Sequence, residues 1–196
     1  MHDADLTPRT AHTRRVFLDA ALRLFAAKGY QAATMGEIAR VAGASRASLY
    51  QYFSSKPQIV LGAMEMYHDD VIQLYLAVDQ LPEHSATAVR AWLEQAYDLW
   101  RTNKGEYFAM GQAIFEDDDV RVAWLEVMDE VTAKMQHCYA GCATLEERKL
   151  RKADVVTLIM QMERAFQFLL AGMSESQEEY ILTSLAAQWT RIFKAA

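Results

Sequence analysis

The chain has 196 residues, of which 52% are hydrophobic and 23% are charged, and its net charge is −6. This composition is typical of a folded globular protein and excludes an intrinsically disordered chain. No apolar run approaches the length that crosses a bilayer, and the N-terminal residues lack the apolar core of a secretory signal. We therefore expect a cytoplasmic protein with no membrane partner.

The charges are divided unevenly along the chain. Residues 1–62 carry eight Lys or Arg and four Asp or Glu, a net charge of +4, whereas residues 63–196 carry twelve and twenty-two, a net charge of −10. Few prolines and glycines, together with recurrent helical periodicity, predict an all-α fold. A small basic region beside a large acidic one favours a polyanionic partner that only the N-terminal part approaches.

The first predicted helix carries an apolar stripe and ends at Gly29, a residue type that commonly follows the last helical turn. Arg9, Arg14 and Arg15 lie at or before its start, where they either reach a phosphate backbone or form a solvated arm. We expect this helix to support the two short helices that follow it. The stripe consists of Phe17, Ala20, Ala21, Leu24 and Phe25.

Two short helical patterns separated by a turn occupy residues 34–56. Thr34, followed three residues later by Glu37, forms a capping box at the start of the first pattern, and Ser45 can cap the second. Gly43 lies between them and accepts the left-handed conformation that a tight turn between helices requires. This pattern predicts a helix-turn-helix, whose second helix enters the DNA major groove.

This part of the chain resembles the TetR (tetracycline repressor) family of bacterial transcription regulators. The resemblance extends from about Arg14 to Ile59 and rests on LFAAKGY, on TMGEIARVAGASRASLYQYF and on the SSK that opens the next helix. It implies a three-helix helix-turn-helix DNA-binding domain, which we place at residues 9–56. It also implies a larger helical domain for effector binding and dimerisation, which we place at residues 57–196.

The second helix of the motif presents side chains that suit DNA. Arg46 can donate to guanine O6 and N7 or to a phosphate, Ser48 can bond a base edge or a phosphate, and Ala47 suits a thymine methyl. Lys56 lies beside a helix N-terminus, so lysine and backbone amides together can hold one phosphate. The resemblance implies operator contacts by Thr34, Arg46, Ala47, Ser48, Tyr50, Tyr52 and Lys56.

Residues that point into the core, and one glycine, limit which side chains of the motif can contact DNA. Leu49 and Phe53 supply an inward pair four residues apart, so we expect Tyr50 and Tyr52 to reach phosphates; the alternative is that one tyrosine belongs to the core. Gly36 occupies a position where a longer side chain sometimes reaches DNA in the family, and that contact is therefore absent here.

The last two predicted helices are apolar over wide faces. Such a pair either closes a monomeric bundle or builds a four-helix bundle with a second copy. The helix that begins at Lys56 is predicted to run into the second domain and to link DNA to effector. The resemblance favours a homodimer, with an interface at Val155, Leu158, Ile159, Met162, Phe166, Ile181, Leu185, Gln188, Trp189 and Ile192.

Methionines and large aromatic residues are frequent between Met64 and Phe168. At helical spacing they are usually core, yet they also suit an adaptable apolar pocket. Residues 116–119 either cap a helix or attract a cationic ligand, and capping is the expected role. Because a TetR-like protein typically binds a small effector in this region, we predict a largely apolar site lined by some of Trp92, Tyr97, Trp100, Tyr107, Phe108, Phe115, Trp124, Met128 and Phe166.

Metal, redox and catalytic sites find little support in the sequence. Cys138 and Cys142 with His137 fall short of a four-ligand zinc site, and the thiols are either a redox pair or, as we expect, buried and reduced. Glu65 and His68 form a single Glu-x-x-His match, whereas a di-iron bundle requires two. Glycine-loop, GxSxG and HExxH motifs are absent from the sequence, so we predict no metal, no cofactor and no enzyme activity.

These patterns predict a sequence-specific DNA-binding transcriptional regulator. Its expected partners are a double-stranded DNA operator, a small and largely apolar effector, and a second copy of the chain. The resemblance implies a repressor that the effector releases from a palindromic operator. The alternatives are an activator, a corepressor-dependent repressor, or a helical ligand-binding protein without DNA binding; Arg46 and Lys56 argue against the last.

Overall fold

The computed structural model describes residues 7–194, and over that range it is built of helices without a β-strand. The predicted all-α class is confirmed. None of the described helices has the length and apolar character needed to span a membrane. The helices are α1 (Pro8–Lys28), α2 (Met35–Val41), α3 (Arg46–Tyr50), α4 (Lys56–Asp79), α5 (Ala86–Thr102), α6 (Lys104–Glu116), α7 (Asp118–Lys134), α8 (Leu145–Leu170) and α9 (Glu175–Lys194), with a short 3-10 helix at His137–Tyr139.

The helices form two compact units, and each unit combines separate stretches of sequence. The first contains the described residues up to Tyr67 together with Asn103–Trp124. The second contains His68–Thr102 together with the described chain from Leu125 onward. These divisions differ from a single boundary between residues 56 and 57, because the start of α4 and all of α6 belong with α1, α2 and α3. The predicted functional division of the chain stays a prediction.

Helix α1 supplies the centre of the first unit's core. Its buried face, which includes Phe17 and Phe25, packs with apolar residues of α2, α3, α4 and α6. Gly105 of α6 lies so close to α1 that a Cβ added there would be 2.6 Å from the Cβ of Ala26. The Gln112 side-chain oxygen accepts a 2.8 Å hydrogen bond from the backbone N–H of Tyr30, just after α1. Helix α6 is therefore part of the support for the helix-turn-helix.

Arg14 joins α1 to α4 inside the first unit. Its guanidinium donates to the Glu65 carboxylate at 2.7 Å and lies 5.5 Å from the centre of the Phe53 ring. Gly62 provides the space, since a Cβ added there would be 2.8 Å from Arg14 Nη2. Because Arg14 is buried, it has neither of the two predicted roles, whereas Arg15 on the same helix is exposed.

Aromatic side chains fill the second unit. Trp92 and Trp189 meet edge to face with ring centres 5.1 Å apart, and Tyr75 stacks on Trp189 at 6.5 Å. The indole N–H of Trp92 donates to the Leu74 carbonyl at 2.8 Å. The indole N–H of Trp189 is buried and has no hydrogen-bond partner among the described residues.

The side chains predicted to form the dimer interface lie mostly in the interior of the second unit. The apolar faces of α8 and α9 pack on α5 of the same chain, which explains the burial. Only Ile181 and Gln188 of the predicted set are half-buried. The others are buried within the single chain: Val155, Leu158, Ile159, Met162, Phe166, Leu185, Trp189 and Ile192.

The residues predicted to line an effector site are divided between the two units. Tyr107, Phe108, Phe115 and Trp124 belong to the first unit, and the Phe115 ring lies on the surface of that unit, 72% exposed. The acidic stretch after it takes the predicted capping role, with the backbone N–H of Asp119 donating to the Asp117 carboxylate at 3.2 Å. The other members of the predicted set are buried in the second unit: Trp92, Tyr97, Trp100, Met128 and Phe166.

Candidate nucleic-acid interface

The local sequence fixes the two short helices of the motif through their caps. The Thr34 hydroxyl accepts from the backbone N–H of Glu37 at 3.3 Å, and the Glu37 carboxylate accepts from the backbone N–H of Thr34 at 3.0 Å, which completes the predicted capping box. Gly43 in the turn has a φ of +68°, a conformation that costs other residues a steric penalty. Ser45 caps α3 by accepting from the N–H of Ser48 at 3.1 Å.

The two faces of α3 separate core from contact surface. Leu49 is fully buried and Phe53 nearly so, as the inward pair predicted. Arg46 and Ala47 are exposed, and Tyr50 is 46% exposed. The helix therefore turns a row of open side chains away from the first unit's core.

Ser48 and Tyr52 are less open than the rest of the predicted contact set. Both are half-buried, and the Tyr52 ring packs on Phe17 with ring centres 5.4 Å apart. The structure thus gives one tyrosine a packing role and leaves Tyr50 on the open face. Gln51, the C-cap of α3, is also exposed beside this face and was not among the predicted contacts.

Thr34 already uses its donors within the protein. Its hydroxyl donates to the Glu37 carboxylate at 2.8 Å, and the same carboxylate takes its backbone N–H. A hydrogen bond from Lys28, followed by that from Thr34, lowers the pKa of the Glu37 carboxyl to about 2. A phosphate contact at Thr34 therefore requires an exchange of partners.

Lys56 is also engaged within the first unit. Its ammonium donates to the backbone carbonyl of Tyr30 at 2.7 Å and to that of Gln31 at 3.1 Å, and it lies 4.6 Å from the centre of the Tyr30 ring. Burial lowers the lysine pKa. An ammonium group has three donors, so one remains for a phosphate. Lys56 thus ties the start of α4 to the turn between α1 and α2.

Arg46 lies across the start of α2. A Cβ added at Gly36 would be 3.5 Å from both Cδ and Nε of Arg46. The guanidinium makes no hydrogen bond or ion pair with another residue in the described part of the chain. Its five donors therefore face solvent in a fork that matches a phosphate or a guanine edge.

Capped short helices, a glycine turn and an open face on the second helix define a helix-turn-helix DNA-binding protein. Residues 17–63 match the family model described as "Bacterial regulatory proteins, tetR family". The matched part of the chain is a TetR-family helix-turn-helix domain, as its motifs predicted, and this domain is that of a DNA-binding transcription regulator.

Named relatives agree with this assignment. The chain is 26% identical over 156 residues to the HTH-type transcriptional regulator AcrR of Shigella flexneri, a match that covers 74% of this chain and 69% of that protein. It is 33% identical over 107 residues to the HTH-type transcriptional activator FasR of Mycolicibacterium smegmatis. That match spans 55% of this chain and only 47% of FasR.

Solved structures share the fold. A TetR-family transcriptional regulator from Mesorhizobium loti superposes with a TM-score of 0.66 at 18% identity, covering 96% of this chain and 98% of that one. A transcriptional regulator from Rhodococcus superposes with a TM-score of 0.69 at 19% identity, covering 93% and 97%. Identities this low establish the common fold and nothing finer.

Proposed function

We propose that the chain is a cytoplasmic, homodimeric regulator that binds a palindromic operator through α3 of each copy and releases it when a small effector binds the second unit. The observation that carries this proposal is the open face of α3. Leu49 anchors the helix in the core, while Arg46, Ala47 and Tyr50 stay exposed. In a symmetric dimer the two recognition helices read half-sites about one helical turn apart, roughly 34–36 Å, or a multiple of it.

The surface proposed for the second copy is an open groove between α8 and α9. The groove has a volume of about 420 Å³ and a mostly apolar lining. Phe168 on its edge is 54% exposed, with the Arg164 guanidinium 5.1 Å from its ring centre. A large exposed aromatic beside an arginine is typical of a protein interface. The groove is lined by Gln161, Arg164, Ala165, Phe168, Met173, Ile181, Ser184, Leu185 and Gln188.

The groove proposal is tested by the mass of the protein in solution. Phe168→Lys places a charge on the proposed two-fold interface, so we expect the dimer measured by light scattering to become a monomer at micromolar concentration. Val122→Lys is the matched control, because Val122 is similarly exposed, at 53%, but lies in the first unit. A Phe168→Lys protein that stays dimeric would exclude the groove as the interface.

The effector site is proposed among the aromatic rings of the second unit. The buried indole N–H of Trp189, which has no partner in the described chain, supports this location for the site and indicates which group the effector carries. A buried donor without a partner costs about 1–3 kcal/mol, and an acceptor on the ligand removes that cost. We therefore propose a largely apolar effector that carries at least one hydrogen-bond acceptor. Trp189→Phe removes the donor, and it is expected to weaken release of the operator by the effector more than it weakens operator binding.

Repression is the proposed sign of regulation, and activation is the second candidate. Two of the similar proteins differ in this respect: one is named a transcriptional activator, and another, KstR2 of Rhodococcus jostii, a transcriptional repressor. Transcription from a promoter that carries the selected operator, measured with and without the protein, separates the two. Transcription that rises on adding the protein would overturn the repressor proposal.

The decisive experiment for the whole proposal is selection of bound sites from random double-stranded DNA. We expect an enriched inverted repeat, with affinity that falls steeply as salt rises, because Lys and Arg displace counterions from phosphates. A small-molecule screen for release of the selected DNA then tests the effector. Enrichment of no sequence would overturn the proposal in favour of a helical protein without DNA binding.

A further inference from the structure

Gly36 stands in the first turn of α2 without a backbone reason to be glycine. Its φ is not among the positive values that the glycines of turns adopt in the described chain. Glycine weakens a helix relative to alanine, because it has more freedom to lose on folding. Backbone conformation therefore does not require glycine at position 36. The small size of glycine leaves room for the Arg46 side chain, which lies next to it.

The distances define what that space tolerates. An added Cβ would be 3.5 Å from Cδ and Nε of Arg46 and 3.8 Å from its Cζ. These are ordinary van der Waals contacts, so alanine fits beneath the arginine. A longer side chain would extend into the volume that the arginine stem and guanidinium fill. A side chain as long as leucine at position 36 would therefore compete with Arg46 for this volume.

We propose that Gly36 is a specificity-determining residue that acts through Arg46, by letting the arginine lie flat across α2 so that its guanidinium fork is held where the first turns of α2 and α3 meet. The inference rests on the proposed operator binding and adds a positioning role to it. Arg46 has no protein partner in the described chain that would otherwise fix its direction. An arginine with a fixed stem loses less side-chain freedom on binding DNA than a free one.

The experiment is a double-mutant cycle on the operator selected by the wild-type protein. The variants are Gly36→Leu, Arg46→Ala and the two combined, with Gly36→Ala as the matched control. Affinity is measured by fluorescence anisotropy at several salt concentrations, and circular dichroism verifies the fold of each variant. Leucine and alanine are both better helix formers than glycine, so neither substitution weakens α2 intrinsically.

We expect Arg46→Ala to lower operator affinity about 5- to 150-fold, the range of one good guanidinium contact. Gly36→Leu is expected to lower it comparably, Gly36→Ala to change it less than about 2-fold, and the double variant to bind no worse than Arg46→Ala. A repeat selection with Gly36→Leu should lose base preference at the same operator positions as a selection with Arg46→Ala.

Losses that multiply in the double variant would overturn the inference, because leucine would then be clashing with DNA independently of Arg46. Unchanged affinity of Gly36→Leu would overturn it as well. A wild-type protein that selects no DNA sequence fails at an earlier step and overturns the proposed function along with the inference.

Discussion

Lys56 has two roles to separate, one in holding the first unit together and one in binding a phosphate. Lys56→Met keeps most of the apolar stem and removes all three donors. In the folded chain this leaves the carbonyls of Tyr30 and Gln31 without the donors they now have, at 2.7 and 3.1 Å. The substitution also removes a cation 4.6 Å from the Tyr30 ring. We expect both stability and DNA binding to fall.

The size of the stability loss follows from these interactions. A hydrogen bond from a charged donor contributes about 1.5–3 kcal/mol when well buried, and a cation near an aromatic ring about 0.5–1 kcal/mol at an exposed site. One of the two hydrogen bonds is exposed to solvent, where water replaces the missing donor. The expected decrease in the free energy of unfolding is therefore about 1–3 kcal/mol.

Two measurements separate the roles. Urea unfolding reports stability, and the dependence of operator affinity on salt reports phosphate binding, because the log–log slope becomes shallower by about 0.9 for each phosphate that a copy no longer neutralises. Lys149→Met is the control, since Lys149 lies in an exposed ion pair with Glu146. An unchanged unfolding midpoint would refute the structural role of Lys56. A lower midpoint with an unchanged salt slope would show that Lys56 holds no phosphate.

Three further predictions concern packing, thiol reactivity and alkaline pH. Gly62→Ala places a Cβ 2.8 Å from Arg14 Nη2 and 3.1 Å from Phe53 Cε1 and should destabilise the chain by about 1–3 kcal/mol in urea unfolding; a neutral result would contradict the close packing of these side chains on Gly62. Iodoacetamide at pH 8 should label half-exposed Cys142 but not Cys138, which is buried and whose pKa burial raises to about 12; equal labelling, read by mass spectrometry, would restore the redox alternative. Burial also raises the pKa of Tyr97 to about 12, so the stability from its protonated hydroxyl is complete below pH 10 and is lost as pH rises towards 12. Tyr97→Phe should flatten the decline in thermal midpoint over that window, and an unchanged decline would count against this assignment.

The helix-turn-helix is readable from sequence because short-range interactions fix it. The two residues of the capping box, Thr34 and Glu37, are three positions apart, and the positive φ at Gly43 is a property of one residue. The inward direction of Leu49 follows from the period of the helix. Each of these features depends on neighbours in the sequence, so local chemistry was sufficient to predict it.

Contacts between residues that are far apart in the sequence could not be predicted in the same way. Nothing near Lys56 in the sequence indicates that its ammonium binds carbonyls 25 and 26 residues earlier, and nothing near Arg14 indicates a carboxylate at Glu65, 51 residues later. Periodicity shows that α8 and α9 have wide apolar faces but not which structure covers them. The chain's own core covers most of those faces, and this is why the predicted interface residues are buried.

The composition of the first unit affects how the protein can be re-engineered. The simplest exchange would replace the N-terminal DNA-reading segment as one continuous cassette. Here a cassette that ends near Tyr67 would leave behind α6, which supplies Ala109 and Met110 to the same core and Gln112 to the N–H of Tyr30. A functional chimera therefore needs the α1–α6 contact surface transplanted as well, including a small residue at position 105 opposite Ala26. The exchangeable module of this protein is discontinuous in sequence.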